Sequence, residues 1–123
     1  MTKQQFNDLL DGKKGAQKNK FGAKKTEYNG RIFDSSKEAK RAWEIDCMIR
    51  AGEILKVEYQ PKYEIVVNGK KIGNYFADFL VTYPDGHTEV EDVKGLRKGS
   101  AYAVFRLKKK LVEALYGVKI IEI

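Results

Sequence analysis

Hydrophobic side chains recur at helical spacing in two stretches of the chain. In the first stretch Ser35 fits an N-cap, Glu38 lies at the capping-box position, and Gly52 suits the C-terminal end of the helix. The second stretch runs from about Ser100 to Tyr116 and ends before a glycine. The predicted buried positions are Ala42, Ile45 and Ile49 in the first helix and Val104, Leu107, Leu111, Ala114 and Leu115 in the second.

Extended patterns fill the segment between the two predicted helices. Asn68-Gly69 is a strong hairpin signal between a strand over residues 62–67 and a strand over residues 71–83. Pro84-Asp85-Gly86 turns the chain again into a strand over residues 87–94, and a short apolar strand over residues 118–123 follows the second helix. The sequence therefore predicts an α/β domain in the order helix, three antiparallel strands, helix, strand.

The positive charge of the chain favours a polyanionic partner such as nucleic acid. The net charge is +7 and the isoelectric point is about 9.4. Much of this charge lies in a glycine-interrupted segment, so residues 1–27 are predicted to be a basic flexible arm, with a short helix over Gln4–Leu10. The folded domain is predicted over residues 28–123. The arm is either a solvated tail or an element that contacts DNA.

The composition excludes several classes of protein. A single cysteine and a single histidine cannot build a zinc finger or a zinc ribbon. The sequence contains neither a stretch that resembles a signal peptide nor an apolar run of membrane-spanning length. A soluble protein of the cytoplasm, without a membrane partner, is therefore predicted.

The second predicted hairpin brings acidic side chains together. Pro84-Asp85-Gly86 suits a type I turn with a bulge, which makes a three-residue loop. In that register Asp78 lies opposite Asp92, and alternation along the strand places Lys94 on the same face. The other pairs are Thr82 with Thr88 and Leu80 with Val90. A loop one residue longer would place the two aspartates on unlike faces.

The opposed aspartates need a cation between them, because like charges that face each other destabilise a strand pair. Lys94 could supply it as a structural ion pair. A magnesium ion could also supply it, since this ion binds one or two carboxylates and keeps places for water and phosphate. Glu38 is a third candidate ligand, because it shares the helical line that is expected to face the sheet. Its alternative role is to complete the capping box with Ser35.

These residues together resemble a nuclease superfamily. In the predicted order of elements, Glu38, Ala77-Asp78-Phe79 and Asp92-Val93-Lys94 are similar to the PD-(D/E)xK signature of a restriction-endonuclease-like core, although Ala77 replaces the eponymous proline and Asp92 stands where the longer glutamate is commoner. The chain also resembles a family of small phage proteins of unassigned function, over roughly residues 20–123. The motifs that carry this resemblance are Tyr28-Asn29-Gly30, Phe33-Asp34-Ser35, Gln60-Pro61-Lys62 and Glu91-Asp92-Val93-Lys94-Gly95.

The resemblance implies a metal-dependent active site. Asp78 and Asp92 would bind magnesium, or manganese in its place, with the Val93 carbonyl as a further ligand and Glu38 completing the site directly or through water. Lys94 would orient or deprotonate the attacking water and offset charge on the phosphate. The candidates for nucleic-acid contact are Lys24, Lys25, Arg31, Lys62, Arg97, Lys98 and Lys108.

The implied function is the hydrolysis of DNA phosphodiesters by an endonuclease in phage recombination or repair. A Holliday junction is the favoured substrate, by analogy with small basic phage nucleases of the superfamily. A junction resolvase with one site per chain would act as a homodimer. The alternatives are a flap, transposon-end or other branched-DNA nuclease, an RNA-directed nuclease, and a catalytically silent DNA-binding module of the same fold.

Overall fold

The computed structural model describes residues 3, 17–18, 24–95 and 97–123. The fold is mixed α/β, and the chain divides into two compact units, Met1–Ala51 and Gly52–Ile123. The short helix predicted over Gln4–Leu10 lies outside the described residues. Within the described part of the chain, neither helix combines the length and the apolar character that crossing a bilayer requires.

The first unit joins a small antiparallel sheet to one helix. Its elements are β1 (Gln17–Lys18), β2 (Lys24–Tyr28), β3 (Arg31–Phe33) and α1 (Ser36–Arg50). Strand β2 lies between β1 and β3, and α1 packs against β2 and β3. The predicted boundary between arm and domain, after residue 27, falls inside β2. Asn29 and Gly30 make the β2–β3 turn with φ angles of 52° and 78°, so this hairpin carries the Asn-Gly signal too.

Helix α1 begins and ends where its sequence predicts. The Ser35 Oγ accepts the Glu38 N–H at 3.1 Å, which satisfies one of the unpaired donors of the first turn. Gly52 follows the C-cap with a φ of 80°, a conformation that favours glycine. Ala42 and Ile45 are buried and Ile49 is half-buried. The predicted buried stripe of this helix is confirmed.

The second unit is built on a long hairpin whose strand pairing is interrupted once. Its strands are β4 (Lys56–Tyr59), β5 (Lys62–Val67), β6 (Lys70–Phe76) and β7 (Phe79–Thr82). Strand β4 pairs with β7 and β5 with β6. Across the break, Gln60 N–H donates to the Asp78 carbonyl at 2.9 Å and Ala77 N–H donates to the Pro61 carbonyl at 3.1 Å. The single strand predicted over residues 71–83 is therefore divided at Ala77 and Asp78, and β4 is a strand that was not predicted.

The second hairpin of this unit adopts the predicted register. Strand β8 (Thr88–Asp92) pairs with β7, with Thr82 opposite Thr88 and Leu80 opposite Val90. Gly86 N–H donates to the Tyr83 carbonyl at 2.9 Å, and Gly86 has a φ of 94°. The three-residue loop is therefore confirmed. Helix α2 (Ser100–Tyr116) and strand β9 (Ile120–Glu122) follow, and β9 runs parallel to β8.

Helix α2 has the predicted bounds, but its predicted buried face is confirmed only at Leu111, which packs against the core, and is wrong at the other positions. Phe105 and Val112 are buried in a cluster with residues of β5, β6, β8 and β9. Val104 and Leu107 are instead 53% and 60% exposed, and Leu115 is also exposed. The helix carries two apolar arcs, and helical spacing alone does not determine which of them the sheet covers.

Candidate active site

Asp78 lies at the break between β6 and β7, where its backbone and its side chain both reach β8. Its N–H donates to the Glu91 carbonyl at 3.1 Å. Its Oδ2 accepts the Val93 N–H at 2.7 Å. A carboxylate that accepts a backbone N–H makes a stronger hydrogen bond than a neutral oxygen does. The break thus fixes the Asp78 carboxylate beside the end of β8.

Asp92 ends strand β8, and only 5% of its surface is exposed. The Tyr75 hydroxyl donates to its Oδ2. The Lys94 Nζ lies 3.1 Å from its Oδ1. Each oxygen of this carboxylate therefore faces a donor, as a buried ionised group requires.

The Tyr75 hydroxyl of β6 interacts with both aspartates. Burial raises the pKa of its hydroxyl, and the hydrogen bond to Asp92, the charge of Asp92 and then the charge of Asp78 raise this pKa further. A phenol is protonated at neutral pH in any case, so Tyr75 acts as a donor. Both carboxylates lie within electrostatic range of this one hydroxyl.

Tyr75 is a site residue that sequence reasoning missed. Strict alternation along one strand over residues 71–83 would place Tyr75 on the face opposite Leu80. In the structure Tyr75, Ala77 and Leu80 all contact the same cluster, because the break at Ala77–Asp78 interrupts the alternation. The available signal was Pro61, since proline cannot donate to a strand ladder and therefore marks an irregular pairing opposite Ala77.

The Lys94 ammonium is held between Asp92 and an aromatic ring. It lies 3.6 Å from the centroid of the Phe105 ring. A cation over a ring face at a partly buried site stabilises by about 1 kcal/mol. Phe105 belongs to α2, so this helix helps to position the side chain of Lys94, which follows β8.

Glu38 belongs to the first compact unit, where it is buried. Its predicted role as a third ligand stays a prediction. In residues 3, 17–18, 24–95 and 97–123 there is no group of three or more His, Cys, Asp and Glu side chains that could hold a metal ion. The candidate centre in the second unit is therefore a pair of aspartates.

The donor atoms of this pair fit a small, hard cation. Carboxylate oxygens are the ligands that magnesium prefers, and one or two of them suffice because the ion keeps several waters. The Lys94 ammonium at Asp92 Oδ1 marks a position where positive charge is stabilised. The Val93 N–H, not its carbonyl, makes the contact with Asp78. The role of that carbonyl as a ligand stays a prediction.

The basic residues predicted to contact nucleic acid fall into two groups. The first group contacts protein oxygens: Arg97 with Glu122 at 3.4 Å, Lys62 with Glu64 at 3.8 Å, and Lys108 with the Asn74 carbonyl at 3.1 Å. The second group comprises Lys25, Arg31 and Lys98, which are exposed, as Lys62 and Arg97 of the first group also are. The side chain of Lys24 lies outside the described part of the chain. To contact nucleic acid, a residue of the first group would have to replace its protein oxygen partner with a phosphate oxygen.

The Glu122 carboxylate accepts hydrogen bonds from several side chains near Asp92. It is paired with Asp92 across β8 and β9, so both side chains share one face. The Tyr102 hydroxyl donates to its Oε1 at 2.8 Å, and Lys109 Nζ lies 3.2 Å from its Oε2. The hydrogen bond from Tyr102, followed by those from Lys109 and Arg97, holds the pKa of Glu122 below its usual range. Glu122 therefore neutralises part of the positive charge beside the site.

A family model covers almost the whole chain. The family described as "Protein of unknown function (DUF1064)" matches residues 18–121. The chain belongs to this family. The part that matches the DUF1064 model spans residues 18–51 of the first unit and 52–121 of the second, and it includes the residues Glu38, Tyr75, Asp78, Asp92 and Lys94. No curated protein and no solved structure matches the chain significantly.

Proposed function

We propose that this DUF1064 protein is a magnesium-dependent DNA endonuclease with a restriction-endonuclease-like core of the PD-(D/E)xK type. The observation that carries the proposal is the arrangement at the end of β8. The Asp78 carboxylate accepts the Val93 N–H at 2.7 Å, the Tyr75 hydroxyl donates to Asp92, and the Lys94 ammonium lies 3.1 Å from Asp92. The order of elements from α1 to β9 supports the fold assignment.

Each residue of the site has a chemical role in this proposal. Asp78 and Asp92 would hold the metal, with the Val93 carbonyl as a further ligand. Bound magnesium supplies polarisation of the phosphate and acidification of a water molecule. The Lys94 ammonium, which lies over the Phe105 ring, would orient the attacking water and offset the charge that develops on the phosphate.

The proposed substrate is branched DNA, and within that class a Holliday junction in phage recombination or repair. The net charge of +7 supports a polyanionic substrate. The choice of a junction rests on the resemblance to small phage nucleases alone. A four-way junction requires two symmetric nicks, so the resolvase would be a homodimer that presents two equivalent sites.

A catalytically silent DNA-binding module is the second candidate. The observation that favours it is the pairing of Asp92, since Tyr75 and Lys94 contact one oxygen each. A carboxylate with this environment could serve as a structural ion pair without a metal. The two candidates differ in a direct way, because a silent module binds DNA and does not cut it.

The test is cleavage by the full chain in magnesium, with EDTA as the control. We would compare linear duplex, flap and four-way junction DNA, and a supercoiled plasmid that extrudes a cruciform. Magnesium-dependent cleavage of a branched substrate is expected, and a resolvase should convert the plasmid to the linear form in one binding event. Nicked circles alone would remove the resolvase and leave a simpler nuclease. Binding without cleavage in magnesium and in manganese would establish the silent module.

A further inference from the structure

The Asp92 carboxylate has its two oxygens in different environments. Oδ2 accepts a hydrogen bond from Tyr75, a residue that is 5% exposed, while Oδ1 faces the flexible side chain of Lys94. A lysine ammonium at the end of a four-carbon chain can move away from an incoming cation. A buried phenol cannot, since its ring is part of the core.

Two aromatic neighbours keep the Tyr75 ring in place. Its centroid lies 6.2 Å from that of Phe105 and 6.3 Å from that of Tyr63, which stacks on it. Close-packed rings have few alternative rotamers. The hydroxyl is therefore aimed at Oδ2 by packing, and Asp92 has Oδ1 to offer to a cation.

The number of oxygens that a carboxylate offers distinguishes magnesium from calcium. Calcium takes six to eight oxygens and commonly uses both oxygens of one carboxylate, whereas magnesium requires six ligands in a regular octahedron and usually keeps waters. A carboxylate limited to one oxygen suits the smaller ion.

We propose that Tyr75 is a positioning residue that restricts Asp92 to one coordinating oxygen and so selects magnesium over calcium. This inference rests on the proposed nuclease site. Tyr75 does not touch the metal or the substrate in this account. It acts through the orientation of Asp92, as groups that hydrogen-bond to metal ligands commonly do.

The experiment measures metal binding to the full chain by titration calorimetry, without DNA. Association constants for Mg²⁺ and Ca²⁺ are compared for the wild type, Tyr75→Phe and Tyr63→Phe. The Tyr63 variant is the matched control, because it removes the same hydroxyl from the ring stacked on Tyr75. We expect the ratio of the Mg²⁺ constant to the Ca²⁺ constant to fall about 10-fold in Tyr75→Phe, a loss within the range for such partners, and to stay at the wild-type value in Tyr63→Phe.

Other outcomes separate the failure of this inference from failure of the nuclease site. An unchanged ratio in Tyr75→Phe, or an equal fall in both variants, overturns the role of Tyr75 and leaves the nuclease proposal standing. A wild-type chain that binds neither ion overturns both. Asp92→Asn should abolish the binding, which locates the measured ion at this carboxylate.

A second measurement applies if thermal unfolding shows that Tyr75→Phe does not fold. The separation of the two carboxylate stretching bands in the infrared spectrum reports whether one or both oxygens coordinate an ion. We expect the Asp92 carboxylate of the Ca²⁺-loaded wild type to coordinate through one oxygen. The spectrum should therefore contain no band of two-oxygen coordination that disappears in Asp92→Asn. The presence of such a band would overturn the proposal.

Discussion

The β7–β8 hairpin carries a cluster of carboxylate and cation at each of its ends, and the two clusters differ in burial. At the end of β8, the buried Asp92 contacts Tyr75 and Lys94. At the turn, the exposed Asp85 contacts the ring Nδ1 of His87 and accepts its backbone N–H at 3.0 Å. The pairing of opposite charges is similar at both ends, but the turn faces water.

This difference shows that burial, and not the charge pair itself, marks the candidate site. Exposed ion pairs contribute little to stability, because water screens them and ordering two side chains costs entropy. A buried carboxylate must instead have each of its partners placed by the fold. The partners of Asp92 come from β6 and from the segment after β8, and Phe105 of α2 contacts Lys94 in turn, whereas the partners of Asp85 come from its own turn.

The largest expected effect is on cleavage. Asp92→Asn and Asp78→Asn should each slow magnesium-dependent cleavage more than about 100-fold, above the loss typical of a group that acts through a ligand. DNA binding in a gel-shift assay should persist, because metal ligands stabilise the transition state more than the bound complex. Asp85→Asn is the matched control and should cut at the wild-type rate. An equal loss at the turn would erase the functional contrast between the two ends.

The next effect is on the free energy of unfolding. Asp92→Ala should lower it by about 3 kcal/mol, because the variant leaves the Lys94 charge and the Tyr75 hydroxyl without their partner. Urea denaturation followed by circular dichroism measures this change. Asp85→Ala should lower the free energy of unfolding far less, because the pair at the turn is exposed. A more stable Asp92→Ala would mean that the buried cluster is maintained at the expense of folding.

The smallest effect is a shift in one titration. The hydrogen bond with Asp85 raises the pKa of His87 above its ordinary value of 6.5, and the backbone hydrogen bond from His87 lowers the pKa of Asp85 below its ordinary value of 3.8. The histidine contribution to stability is fully present below pH 6.5 and is lost as the pH rises through the raised pKa. The aspartate contribution is present above pH 3.8 and is lost as the pH falls through the lowered pKa.

The chain has one histidine, so a proton NMR titration reads His87 without ambiguity. Asp85→Asn should move its pKa back down toward the ordinary value, while Asp92→Asn should leave it unchanged. A shift of His87 in the Asp92 variant would show that the two ends of the hairpin are coupled.

The parts of the fold that local chemistry determines could be predicted from the sequence. Pro84-Asp85-Gly86 favours a three-residue loop, and the loop length sets the register of β7 and β8, beside whose end Asp78 lies. Ser35 and Gly52 mark the ends of α1 for the same reason. The β2–β3 hairpin was missed although Asn29-Gly30 carries the signal that was used at Asn68-Gly69.

Other features depend on tertiary packing and could not be predicted. The two apolar arcs of α2 are similar in sequence, and the sheet covers the arc of Phe105 and Val112, not that of Val104 and Leu107. Tyr75 is a partner of Asp92 because the strand is divided between Tyr75 and Asp78, which periodicity cannot reveal. The two aspartates of the candidate site were therefore found from the sequence, and the groups that orient Asp92 and Lys94 were only partly found.

The division between β6 and β7 also constrains how this chain can change in length. Phe76 and Ala77 separate Tyr75 from Asp78, and an insertion or deletion of one residue there would turn the phenol away from Asp92. The side chain of Phe76 is 57% exposed, so its identity is open to substitution. A substitution at Phe76 is therefore expected to preserve the site. The insertion or deletion of a single codon between Tyr75 and Asp78 is not, even though the reading frame is kept. In an alignment of DUF1064 sequences, the positions that correspond to Tyr75 and Asp78 should therefore keep a constant spacing.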